Sequence, residues 1–189
     1  MNKSLSIVGF GDNRAPSDFY PTPELTTLAL LERERFDGLV WECASGDGSM
    51  SKVIEKFCPC MSSDIRTDKS VYGEKGIDFL NEYREVPNVI TNPPYRLAQK
   101  FVERALLLAE RKVAMLLKLV FLEGTGRYNM FRNSPLKTVY VFSRRQSIWA
   151  EGKVGENSGL IAYAWFVWDK SYTWKNTLNA KPYIDWIND

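Results

Sequence analysis

Asn92-Pro93-Pro94-Tyr95 constrains the fold of this chain more tightly than any other stretch. Neither proline has an N–H to donate and each fixes its own φ, so the pair can neither extend a strand ladder nor sit inside a helix. The first proline also drives Asn92 toward extended backbone. The run before it, Val89-Ile90-Thr91, reads as a short buried strand. An amide and an aromatic ring are therefore held rigidly at a strand's carboxyl end, where open α/β sheets bind their ligands. The chemistry is expected there.

Several chemistries are excluded before any site is chosen. The chain has no histidine, which removes Ser-His-Asp and Cys-His machinery and every His-containing zinc site. Its three cysteines fall short of a four-thiolate zinc site, and Cys58-Pro59-Cys60 is too close for an ordinary disulfide framework, so reduced thiols in a cytoplasm are expected. No Gly-x-x-x-x-Gly-Lys-Ser/Thr loop cradles phosphates. A formal net charge of +2 confines any nucleic-acid contact to local patches. No apolar run approaches a membrane span and residues 1–8 lack a secretory pattern, so no membrane partner is expected. At 189 residues the chain suits one domain. What remains is chemistry by positioning, by carboxylates and amides, or by a cofactor.

Residues 1–17 read as an irregular arm, with Gly9-Phe10-Gly11 a plain turn. Tyr20-Pro21-Thr22-Pro23 then enters a helix, with Thr22 as N-cap, Pro23 at N1 and Leu25, Leu28 and Leu31 on one face. Tyr20 and Thr22 serve either as helix entry alone or as walls of a pocket at the helix start. Gly38 to Trp41 reads as a buried strand running into Glu42-Cys43-Ala44-Ser45-Gly46-Asp47-Gly48, followed by a helix whose apolar side is Met50, Val53, Ile54 and Phe57. Strand, glycine bend and helix in that order resemble the first turn of a nucleotide-binding half. Gly46 and Gly48 permit a tight turn, and Glu42 can accept from ligand hydroxyls or an ammonium. Cys60 to Ile65 forms a second strand ending in an acid, and such an acid holds ribose hydroxyls in doubly wound folds. Asp64 is the choice here, with Asp68 its competitor on a solvated loop. In Gly76-Ile77-Asp78-Phe79-Leu80, Asp78 can take a purine's exocyclic amine while Phe79 packs on the ring or fills the core.

Taken in order, Tyr20 to Pro23, Glu42 to Gly48, Asp64, Asp78-Phe79 and Asn92 to Tyr95 resemble the motifs of the S-adenosylmethionine-dependent amino-methyltransferases. The chain particularly resembles small phage or prophage DNA adenine methyltransferases. The resemblance covers about residues 18 to 170. It implies a Rossmann-like α/β fold, a mostly parallel seven-stranded sheet flanked by helices, in a bacterial or phage-infected cell. It implies S-adenosylmethionine bound by Tyr20, Thr22, Glu42, Ala44, Gly46, Gly48, Asp64, Asp78, Phe79 and Asn92, and no metal. It also implies methyl transfer at Asn92, Pro93, Pro94 and Tyr95 to an exocyclic amino nitrogen, foremost adenine N6 of a flipped DNA base; the alternatives are RNA bases or protein glutamine as substrate, or a catalytically idle module that binds the cofactor or DNA. Cys43 stands where the family usually has proline. No long insertion for target recognition is evident, so loose or short sequence specificity is expected.

Beyond the tetrapeptide, Leu97, Phe101, Ala105 and Leu108 continue a helical face as far as Arg111-Lys112. Val113 to Leu117, Lys137 to Ser143 and the run Leu160 to Trp168 read as strands. The tail is expected to pack back through Tyr183, Trp186 and Ile187. Arg127, Arg144 and Arg145 are the candidates for phosphate contact, which positions a duplex without reading its sequence.

Overall fold

The computed structural model describes residues 21–144, 161–172 and 181–188. The arm 1–17, Tyr20 and Arg145 lie outside the described residues.

Helix α1 (Glu24–Leu31) leads to β1 (Val40–Glu42), α2 (Ser51–Ile54) and β2 (Cys60–Asp64). The two-residue β3 (Glu74–Lys75) precedes a 3-10 turn over Phe79–Asn81 and then β4 (Val86–Thr91). A second 3-10 turn, Tyr95–Leu97, opens α3 (Ala98–Leu108), which passes straight into β5 (Ala109–Lys118). After α4 (Thr125–Asn133) come β6 (Leu136–Phe142), β7 (Tyr163–Asp169) and β8 (Tyr183–Ile187). The strands form one sheet in the order β3-β2-β1-β4-β5-β7-β6-β8. From β3 to β5 every pairing is parallel; β7 runs antiparallel to both β5 and β6, and β8 pairs parallel with β6. The expected fold class holds, with one strand more than the seven anticipated.

Both faces of the sheet are covered, which is why its central strands read as unbroken apolar runs. Alternate residues of β5 divide between the two layers. Val113, Met115 and Leu117 pack with Phe101, Val102, Phe166 and Trp168, while Ala114 and Leu116 pack with Leu30, Ile54, Trp165 and Val167. Among the described residues no helix is long and apolar enough to cross a membrane.

Four local expectations change. Helix α1 buries Thr26, Thr27, Ala29 and Leu30, and Leu25 is 56% exposed. Its apolar residues lie on every side, so spacing does not choose the face. The choice follows contacts such as the Trp165 indole N–H donating to the Thr26 carbonyl at 2.8 Å. Helix α2 is a single turn, and Phe57 beyond it is exposed. Arg111 and Lys112 belong to β5 and not to the end of α3, whose buried face includes Ala98 but not the exposed Leu97. In the tail only Ile187 packs inward; Tyr183 and Trp186 stay exposed because β8 is an edge strand.

Candidate active site

The chain runs from β1 outward to β2 and β3, then returns to β4 on β1's other side. The strand order reverses between β1 and β4, and a crevice opens at such a point beyond the strands' carboxyl ends. Here that crevice is a cleft of about 860 Å³, counting its open mouth. Glu42 ends β1, Asp64 ends β2 and Asn92 follows β4, so sheet topology brings together three residues distant in sequence. All three line the cleft, along with Thr22, Ala44, Asp78 and Phe79. Pro93, Pro94 and Tyr95 close another side of it.

Gly46 and Gly48 do not face the cleft; they make the loop possible. Their φ values are +54° and +79°, a region that side chains with a Cβ avoid. A Cβ on Gly48 would lie 2.4 Å from the Tyr72 ring. The Gly46 N–H donates to Asp64 Oδ2 at 2.8 Å, and the Arg66 N–H donates to Asp64 Oδ1 at 2.8 Å. Asp64 thus anchors the glycine loop while forming part of the cleft wall. Asp68 pairs with Arg66 at the surface and does not line the cleft.

Asp78 caps the 3-10 turn, accepting from the Leu80 N–H at 3.1 Å and from Asn81 Nδ2 at 2.7 Å. Phe79 is 1% exposed and packs edge-on to Trp41 at 5.2 Å and against Phe101 at 5.1 Å. It is a core aromatic that also lines the cleft.

Glu42 is 2% exposed. It accepts from the Thr91 hydroxyl at 2.6 Å and from the Ala44 N–H at 3.2 Å, both on Oε1. Among the described residues no lysine or arginine forms an ion pair with it. Burial pushes its carboxyl up to about 7; the Thr91 and Ala44 bonds pull it down, and nearby Asp64 raises it further.

Asn92 explains Thr22. The helix begins one residue later than expected, with Pro23 at its N-cap and no side-chain cap bond. Thr22 Oγ1 instead accepts from Asn92 Nδ2 at 3.1 Å. That bond leaves Asn92 Oδ1 buried and without a partner among the described residues. Tyr95 is half-buried, tilted against Tyr163 at 5.6 Å, with the Lys118 ammonium 4.8 Å from its ring centroid.

Of the basic candidates, Arg127 and Arg144 are not part of the cleft wall. Arg127 donates through Nε to the Phe121 carbonyl at 2.9 Å and through a terminal nitrogen to the Glu123 carbonyl, with its guanidinium 4.8 Å from the Phe121 ring centroid. Arg144 is exposed just past β6. Sequence reasoning missed Thr91 and the apolar lining from Ile65, Ile77, Leu80 and Phe101. Thr91 adjoins the tetrapeptide, but its meeting with Glu42 depends on strand pairing that no local pattern reports.

No protein-family model matches the chain, and no curated protein matches it. Solved structures match its fold. A modification subunit of a proposed type I restriction enzyme from Vibrio vulnificus aligns at 12% identity and TM-score 0.59, over 90% of this chain and 47% of that one. A proposed RNA methyltransferase from Pyrococcus horikoshii aligns at 14% identity and TM-score 0.59, over 79% and 86%. A dimethyladenosine transferase from Plasmodium falciparum aligns at 10% identity and TM-score 0.54, over 80% and 63%. The fold is that of Rossmann-like methyltransferases. The chain spans about half the length of the restriction-enzyme subunit.

Proposed function

We propose that the cleft holds S-adenosylmethionine and that the chain methylates an exocyclic amino nitrogen, with adenine N6 in DNA the favoured substrate. The observation that carries this reading is Asn92 Oδ1, a buried acceptor with no partner among the described residues, next to a double proline in the same cleft as Glu42 and Asp64. An unsatisfied buried acceptor costs about 1–3 kcal/mol, and an incoming N–H would remove that cost. Two of the fold neighbours are named a restriction-enzyme modification subunit and a dimethyladenosine transferase, which supports amino-group chemistry on nucleic acid.

The cleft's donor set fits the cofactor. Glu42 and Asp64 suit an ammonium and ribose hydroxyls, Asp78 suits an exocyclic amine, and Phe79 with its apolar neighbours suits a purine ring. When bound, S-adenosylmethionine supplies an electrophilic methyl on a sulfonium. Asn92 Oδ1 and the Pro93 carbonyl accept the target's two N–H bonds and stabilise positive charge as it grows on that nitrogen. Pro94 keeps the turn rigid, and alignment of this kind contributes on the order of 7–11 kcal/mol where geometry is ideal. Tyr95 holds the base, which must leave the helical stack to reach the pocket. Arg144 and Arg145 would contact phosphates. Arg127, already committed to two carbonyls, would contribute least.

The test is methyl-labelled cofactor incubated with unmodified DNA, RNA and glutamine-containing peptides. Label is expected in N6-methyladenine of DNA. Asn92→Ala should cut transfer by about 10²–10³-fold while cofactor affinity is kept. Label confined to RNA or peptide would replace the substrate, and cofactor binding without transfer to any of them would overturn the enzymatic reading.

A further inference from the structure

We propose that Thr91 is a positioning residue of the cleft: its hydroxyl holds one oxygen of the Glu42 carboxylate and leaves the other for a ligand ammonium. The proposal rests on reading the cleft as the S-adenosylmethionine site. Thr91 is 0% exposed and Glu42 is 2% exposed, and the Oγ1–Oε1 distance is 2.6 Å. Among the described residues, both bonds that Glu42 accepts go to Oε1. Oε2 is therefore the oxygen available to a ligand.

The surroundings set the ligand's charge. Among the described residues, the titratable groups that act on Glu42 are Cys43 beside it and Asp64 and Cys60 on β2, each negative when ionised, while the one arginine of the cleft wall, Arg66, pairs with Asp68. From β4 only the Thr91 hydroxyl faces it as a hydrogen-bond donor. Burial drives Glu42 toward its neutral form at about pH 7. The Thr91 bond opposes that drive because a hydroxyl donates better to a carboxylate than to a carboxylic acid. Without the bond, Glu42 would keep its proton to higher pH and an ammonium would meet less opposite charge. A cation favours the ionised carboxylate, so its affinity should rise with pH through the Glu42 titration.

Two measurements test this. Calorimetry gives the S-adenosylhomocysteine affinity from about pH 5 to about pH 9 for the natural chain, Thr91→Val and Thr91→Ser. Infrared spectroscopy reads the carboxylic-acid band of ligand-free protein, assigned to Glu42 through its loss in Glu42→Gln. For the natural chain, affinity should fall about tenfold per pH unit below the Glu42 titration. In Thr91→Val both the band and the affinity step should move up by roughly one pH unit. Thr91→Ser should restore them. Thr91→Ala serves as a second hydroxyl-free variant should the valine chain fail to fold. With 5′-methylthioadenosine, which lacks the ammonium, the step should vanish. An unshifted infrared band in the hydroxyl-free variants would overturn the proposal, and an identical step with 5′-methylthioadenosine would overturn the ammonium. Absence of any binding would overturn the cofactor reading, while the infrared titration still judges Thr91's hold on Glu42.

Discussion

Glu34 and Glu42 are close in sequence and nearly equal in burial, at 6% and 2% exposure, yet they occupy opposite ends of the sheet in opposite company. Glu34 accepts from the Tyr140 hydroxyl at 2.9 Å and pairs with Lys112 at 2.6 Å. Lys112 also reaches Asp169 at 3.8 Å, which Lys137 holds at 3.1 Å. Burial pushes the Asp169 carboxyl up, but bonds from Ser171 and Lys137 outweigh it, so it lies below its ordinary range. Glu42 receives only two neutral donors and sits beside another carboxylate. Removing one partner of a buried ion pair is costly because a charge is stranded. Among the described residues the first end has its counter-charges, and the second has none. Burial alone therefore does not mark a candidate site; burial without a counter-charge points to one.

The largest effect expected from breaking this contrast is at the self-sufficient end. Glu34→Ala removes the nearest counter-charge of Lys112, leaving it the Arg35 carbonyl at 3.1 Å and Asp169 at 3.8 Å, and takes the acceptor from the Tyr140 hydroxyl; it should destabilise the chain by roughly 3 kcal/mol, read by denaturant unfolding, with cofactor affinity in the surviving folded fraction unchanged. A similar loss of affinity would mean that the two ends are coupled.

Glu42→Gln should do the reverse. The folded-state pKa of Glu42 is raised from 4.5 to about 7. The folded chain therefore holds an extra proton between those values, and stability falls as pH rises through that window. Above pH 7 the variant should be more stable than the natural chain, by at most about 3 kcal/mol. Below pH 4.5 the gain should vanish, while cofactor binding is lost throughout. Unfolding at pH 5 and pH 8 decides it, and a gain independent of pH would refute the assignment.

Gly48→Ala tests the loop that carries Asp47 and Ala44 to the cleft. Its Cβ would meet the Tyr72 ring from a backbone at φ +79°. A loss of about 1–3 kcal/mol is expected, together with loss of the Tyr72 hydroxyl's bonds to Glu55. Smallest of all should be Lys56→Ala, whose 2.7 Å pair with Glu24 joins two side chains that are each more than half exposed. Thermal unfolding should register no more than about 1 kcal/mol.

Much of the site was legible locally. The double proline could only be a rigid turn, the residues before it could only be a strand, and Gly46 and Gly48 bracket a bend that follows a strand. Asp64 does end β2, and Asn92 does follow β4. What could not be read was partnership across distance. Thr22 was expected to cap its own helix, yet its hydroxyl meets Asn92. The leucines of α1 suggested one face, and the indole of Trp165 helped select another. Tyr183 and Trp186 looked like core residues and are exposed because β8 has a neighbour on one side only.

By itself, then, the order of residues determined where the backbone must turn, which runs must be buried on both faces, and which chemistries the absence of histidine rules out. These follow from steric limits and hydrophobicity, which act over a few residues. Only the tertiary structure decided that Glu42, Asn92 and Thr22 share one cleft, with the Thr91 hydroxyl bonded to Glu42. It also decided that, among the described residues, Asn92 Oδ1 has no partner and Glu42 no counter-charge, while Glu34 has Lys112. Hydrogen bonding and charge compensation depend on strand register and topology, and those bring together residues that no local spacing connects.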